Sequence, residues 1–138
     1  MKYWVNVISK EHALVGVKGR FIQGKLANLQ LLRKEDLTFS YSAGTLFRAG
    51  QILQAFTAVA RVVDDIPQQV EASARVQMWR RMATPLTCEE APIEPLIGQL
   101  DFIGDKANWG LSLGRGMFAI NQEDAHRIAA AMHADITG

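Results

Sequence analysis

The run Gln54-Ala-Phe-Thr-Ala-Val-Ala-Arg-Val-Val63 limits most what this chain can fold into. Small and β-branched apolar residues dominate it, and Asp64-Asp65-Ile66-Pro67 breaks it. This pattern predicts a strand at the centre of a sheet. Residues 3–8 (Tyr-Trp-Val-Asn-Val-Ile) read as a second, buried strand. Leu37-Thr-Phe-Ser-Tyr41 alternates apolar and polar residues, the mark of a half-buried strand, after the polar turn Lys34-Glu35-Asp36. Residues 76–82 and 117–120 add two more strands, and Phe21 to Gln23 a brief extended piece. Gly44 and Gly50 punctuate a stretch that reads as a loop, and 101–116 reads as a glycine-rich loop.

Helices are fewer. Ser9 is placed to accept a hydrogen bond from a first-turn N–H, and Glu11 suits the positive helix end, so a helix is expected over 10–17 with Gly19 as its stop. Leu26, Leu29, Leu31 and Leu32 suggest irregular helical turns, and residues 95–100 a short helix opened by Pro95. Asn121-Gln-Glu-Asp caps the most regular helix, whose stripe is Ala125, Ile128, Ala129 and Met132. The mixture predicts an α+β fold, a curved sheet or small barrel, formed by one domain over residues 1–138.

Composition narrows the setting. With 49% hydrophobic and 21% charged residues the chain reads as an ordinary globule, and no apolar run approaches the ~18 residues of a membrane span. Asn6 interrupts a first apolar run already too short for a signal peptide, and the lone Cys88 excludes an internal disulfide, so a cytoplasmic setting is expected. Net charge is +1, unevenly spread: residues 1–60 hold eight Lys/Arg against three acids. Such an excess can mark a face for an anionic partner.

Catalytic patterns are sparse. His12, His126 and His133 form no metal-ligand spacing, so no metal is expected. Acids beside Cys88 disfavour a thiolate, and Ser9, His12 and Asp36 have no triad spacing. Gly114-Arg-Gly116 matches no phosphate-binding loop. Aromatic and amide groups are better represented. Asn6 must find partners on an apolar strand, and Trp109 lies in a polar, glycine-flanked loop where a core role is less natural. A pocket for a planar base needs such faces to stack on and such edges to bond.

Tyr3-Trp4-Val5-Asn6-Val7, Ser9-Lys-Glu-His12, Phe39-Ser-Tyr41-Ser42, Leu53-Gln54-Ala55-Phe56, Trp79-Arg80-Arg81, Pro92-Ile93-Glu-Pro95-Leu96-Ile97, Leu100-Asp-Phe102-Ile103 and Asp105-Lys106-Ala-Asn-Trp109-Gly110 follow one another across nearly the whole chain. In this order they resemble the EVE domain of the PUA-like superfamily, in its stand-alone bacterial form. The resemblance implies a PUA-like pseudo-barrel of about six strands with short flanking helices. It also implies kinship with YTH domains, which hold a methylated adenine in an aromatic cage, and with RNA-binding PUA domains.

Carried onto this chain, the resemblance implies a reader that binds DNA or RNA through a modified base, without catalysis or cofactor. Phe21, in Gly19-Arg20-Phe21-Ile22-Gln23, takes the place of one cage wall, Trp109 that of a second, and Tyr41 joins them. Asn6 and Ser9 would read the base edge, while Lys18, Arg20, Lys25, Arg33, Arg80 and Arg81 would meet phosphates. Phenylalanine at position 21 is a weaker stacking surface than tryptophan. Lys34-Glu35 and Ser40-Tyr41-Ser42-Ala43 also depart from the family's pattern. Two rival readings are a domain that binds a small metabolite or a protein, and a nucleobase- or nucleotide-processing enzyme using His12 or Asp36 as acid or base.

Overall fold

The computed structural model describes residues 1–46, 49–70 and 78–137. Its strands are β1 (Tyr3–Val7), β2 (Phe21–Gly24), β3 (Leu37–Leu46), β4 (Ala49–Val62), β5 (Gln68–Val70), β6 (Met78–Pro85), β7 (Ala91–Pro92) and β8 (Met117–Ile120). The helices are α1 (Lys10–Gly19), α2 (Leu26–Leu29) and α3 (Gln122–Ala131), and Glu94–Leu96 and Trp109–Leu113 form 3-10 turns. Six strands make one curled sheet in the order β2-β6-β4-β3-β1-β8, with β5 beside β6 and β7 beside β4. Only the β1–β3 pair is parallel among the described pairs. The α+β pseudo-barrel is therefore present, and β4 lies at its centre, as its sequence predicts.

Apolar residues fill both sides of this sheet. Successive strand side chains point to opposite faces, so Val5, Leu37, Phe39, Tyr41 and Phe56 join a core with Ile93, Leu100, Ile103 and the α3 residues Ala125, Ile128 and Met132. Trp4 joins a smaller cluster on the other face, with Ile22, Leu29, Leu32, Val62 and Ala83. Residues 37–42 of β3 are consequently buried on both faces, where alternation predicts half-burial. The alternating Thr38, Ser40 and Ser42 are also covered; Ser42 and Thr57 share a buried hydroxyl hydrogen bond of 2.8 Å.

Other differences are local. The expected loop at Gly44–Gly50 is two strand ends, since β3 runs to Leu46 and β4 starts at Ala49. Residues 76 and 77 of the predicted sixth strand lie outside the described residues, and β6 continues to Pro85. The short polar strand β5 carries no apolar signal. Pro95 opens a 3-10 turn in place of a longer helix.

Helix α1 extends to Gly19, and the left-handed cap falls on Arg20 (φ 62°). Earlier in α1, a Cβ on Gly16 would stand 2.5 Å from the Phe21 carbonyl oxygen, so only glycine lets the helix ride directly on β2. Among the described residues no helix is long and apolar enough to cross a membrane.

Charged groups buried in this frame tie distant segments together. Asp36 accepts hydrogen bonds from the backbone N–H of Lys2 (2.9 Å) and Arg33 (2.9 Å) and from the Trp4 indole (3.0 Å). Its carboxylate, which the rival enzyme reading takes as an acid or base, is thus engaged three times within the fold. Asp124, at the start of α3, accepts from the backbone N–H of Asp101 (2.8 Å) and Phe102 (2.9 Å).

Arg81 is fully buried. Its guanidinium donates to the Asp64 carboxylate (2.6 Å) and carbonyl (2.9 Å) and to the carbonyls of Leu29 (2.8 Å) and Leu32. It joins α2, the end of β4 and β6, and is not available to a phosphate. Removing one partner of a buried charge pair leaves the other uncompensated. Arg81→Ala should therefore lower the unfolding free energy by about 3–5 kcal/mol, measured as a drop in the urea midpoint.

Candidate functional site

The sheet divides the predicted base pocket in two. Asn6 pairs in register with Ser40, on the face that carries Trp4 and Thr38. Phe21 lines a cleft on that face, between α1 and the sheet, with His12, Gln23, Thr38 and Ser40. The cleft encloses only about 20 Å³, room for a water molecule and not for a base. Asn6 is buried, and its Nδ2 has no hydrogen-bond partner among the described residues. Ser9 uses its hydroxyl to cap α1, accepting from the His12 N–H at 3.3 Å. Tyr41 and Trp109 lie on the other side, so Phe21 and Trp109 are not walls of one cage. The cause is the alternation of side chains along β1 and β3.

Trp109 is the centre of the more open site. It borders a cavity of about 350 Å³ that Gln54, Ile93, Glu94 and Ile97 also line. It also borders another of about 220 Å³, lined by Val7, Tyr41, Gln54 and Gly110. Trp109 and Gln54 border both. The loop that presents the indole is fixed by Asp105, which accepts from the N–H of Ala107 (3.1 Å) and Asn108 (3.3 Å) and from the Asn108 amide (2.9 Å). These bonds, the Asn108 side chain foremost, hold the Asp105 carboxyl below its ordinary pKa.

Gln54 reaches the site through a bulge. Between the pairs Ser42–Ala55 and Gly44–Ile52, β4 sets two residues against one of β3, and Gln54 adopts φ 54°. Non-glycine residues rarely adopt this conformation, and bulges beside sites re-aim side chains. The Gln54 carbonyl accepts from the Ile93 N–H at 3.0 Å, which brings the Glu94 turn against the bulge. The sequence reading did not single out Gln54 or Glu94. The available signal was one glutamine opening the strongest apolar run.

Tyr41 is buried, with its ring edge-on to Phe56 at 5.6 Å. Its hydroxyl has no hydrogen-bond partner among the described residues, and its side chain borders the smaller cavity. Burial pushes its pKa up to about 12, so the phenol stays neutral and able to donate.

Of the expected phosphate contacts, Lys18, Arg20, Lys25 and Arg33 are exposed. Arg80 is half-buried, with its guanidinium 5.6 Å from the centre of the Phe21 ring. Arg81 is spent inside the fold, as described above. Burial raises the Cys88 pKa, which leaves it a poor nucleophile. No cluster of three or more His, Cys, Asp or Glu side chains is placed to hold a metal ion among the described residues.

The raised pKa of Tyr41 has a measurable sign. Folding favours the protonated phenol, so the associated stability is complete below pH 10 and is lost as pH rises towards about 12. In urea unfolding across that range, the native protein should lose about 2 kcal/mol more than Tyr41→Phe does. Equal losses would place the phenol in contact with bulk water.

Comparison with known proteins agrees with this architecture. A profile of the EVE domain matches residues 2–131. A UPF0310 protein of Mycobacterium avium is 43% identical over 135 residues, covering 96% of this chain and 98% of its own. UPF0310 protein YdcG of Bacillus subtilis is 28% identical, covering 99% of this chain and 95% of its own. In three dimensions the chain is similar to ASCH from Zymomonas mobilis, with a TM-score of 0.60 and 8% identity, over 95% of this chain and 96% of that one. That likeness bears on the fold alone. Matched by one family profile from residue 2 to residue 131, the chain belongs to the EVE domain family.

Proposed function

We propose that this protein binds single-stranded or locally opened nucleic acid by seating one modified base against Trp109, without catalysis. The observation that carries this reading is the half-buried Trp109, which borders two open cavities that Gln54 also lines. Their size lies near the lower end for small-ligand sites, suited to a planar base. An aromatic face stacks any base, and amides and hydroxyls read its edge. Gln54 and the neutral Tyr41 hydroxyl are the groups available for that purpose.

The basic side chains suit the rest of the strand. Ile8 donates its N–H to the Tyr41 carbonyl at 3.0 Å, so α1 begins beside the base site. Lys18 and Arg20 lie at its far end, roughly 15 Å away at 1.5 Å rise per residue. Lys25 follows β2, and β2 pairs with β6 where Gln23 faces Arg80. A strand laid along α1 would leave its base on Trp109 and bring its phosphates to this group. Phe21 then supports the Arg80 guanidinium and does not enclose the base. Ser9 caps the start of α1.

Two variants separate these roles. Stacking on an aromatic contributes about 1–3 kcal/mol per base. Trp109→Ala should weaken oligonucleotides carrying the recognised base selectively, by about that amount. Lys25→Ala should weaken all strands alike and reduce the salt slope by about 0.7. The ligand itself is found by incubating the protein with fragmented cellular DNA and RNA and identifying the retained nucleosides by mass spectrometry. Enrichment of one modified nucleoside, lost in Trp109→Ala, is the expected result. Recovery in proportion to input would reduce the function to backbone binding, and no recovery would assign the cavities to a small metabolite or protein partner.

A further inference from the structure

The acidic side chain at the Trp109 site has no role in the contacts described so far. Glu94 is exposed, and its carboxylate has no hydrogen bond or ion pair among the described residues. It is the sole charged side chain among the described residues lining either cavity; no Lys, Arg or His borders them. Its position is fixed by the backbone: β7 pairs with β4 through Ala91 and Pro92, and the next residue, Ile93, bonds to the bulged Gln54. An acceptor-only group is thus held beside an aromatic face and a mixed donor–acceptor amide.

We infer that the base seated on Trp109 is of the guanine class, read by Glu94 through its N1–H and 2-amino group. This rests on the base-binding reading above. An ionised carboxylate has two acceptor oxygens and no donor. Guanine is the common base that offers two neighbouring N–H donors on one edge. Adenine and cytosine place a ring acceptor beside their amino group, so its lone pair would face the carboxylate. Uracil and thymine set a single N–H between two carbonyls. Gln54 supplies what Glu94 cannot, since its NH₂ can donate to O6 while the ring lies on the indole. A modified guanine that keeps N1–H and the 2-amino group satisfies the same contacts, and N7-methylation strengthens them by adding positive charge over the indole.

Short oligouridylates with one central guanosine, 7-methylguanosine, inosine or adenosine test this, titrated against the native protein, Glu94→Gln and Trp109→Ala. A good bidentate pair discriminates strongly between bases. The native protein should hold the tighter of the two guanosine strands about tenfold more firmly than the adenosine strand. Inosine, which lacks the 2-amino group, should fall between them. Glu94→Gln should erase the preference for guanosine over adenosine, and Trp109→Ala should weaken the guanosine strands most. Equal affinity for the guanosine and adenosine strands, with Trp109→Ala still weakening all of them, overturns the guanine assignment and leaves base binding standing. Strands indifferent to Trp109→Ala, or no binding to any of them, overturn both.

Discussion

A strand packed on both faces has almost no freedom of register, and β3 and β4 impose that constraint on the whole molecule. A slip of one residue would exchange Phe39 and Tyr41 for Thr38 and Ser40 in the larger core. Pairing is therefore fixed along the hairpin, and its three register shifts, at Ser40/Tyr41, Ser42/Gly44 and Gly44/Leu46, must each be absorbed locally. The extra β4 residue at the Ser42/Gly44 shift falls next to the cavity that Trp109 lines. Gln54, with φ 54°, lies at this shift and lines both cavities at Trp109. The site is in this sense a product of the packing that surrounds it.

Buried charges do comparable work at the edges of the sheet. Asp36, Arg81 and Asp124 are each inaccessible to solvent, and each holds segments far apart in the chain. Such groups are costly to bury and tolerable only when every donor or acceptor is met. The Arg81 network meets this condition through Asp64, the carbonyl of Leu29 at the end of α2 and that of Leu32 in the segment after it. Asn6 does not meet it, and its unpartnered Nδ2 stands out in an interior whose polar groups are otherwise largely paired.

Much of the fold was legible because the apolar pattern is strong where strands are long. The runs around Val5, Phe39 and Val59 identified β1, β3 and β4, and Ser9 and Asn121 marked the two helices they cap. The site was less legible because its parts are joined by tertiary structure. Phe21 and Trp109 are equally suitable as walls in one dimension, and only the sheet between them decides that they never meet. Gln54 and Glu94 look unremarkable singly; a backbone hydrogen bond between their neighbourhoods unites them. Arg81 looks like a surface arginine beside Trp79, yet its environment is set by carbonyls from α2 and a carboxylate after β4. No local rule separates it from Arg80, which does reach the surface.

The absent side chain at Gly16 has one more consequence. With the backbone of α1 resting on that of β2, helix and strand have no compressible layer between them, and neither can slide along the other. The helix then acts as a ruler of fixed length between the indole and the basic group beyond its C-terminus. In the binding mode proposed above, a strand too short to span it would engage one end only, so affinity would rise in a step as length passes this span, with little gain thereafter. In that mode the reach of the protein along a strand would be set by a hydrogen atom at position 16.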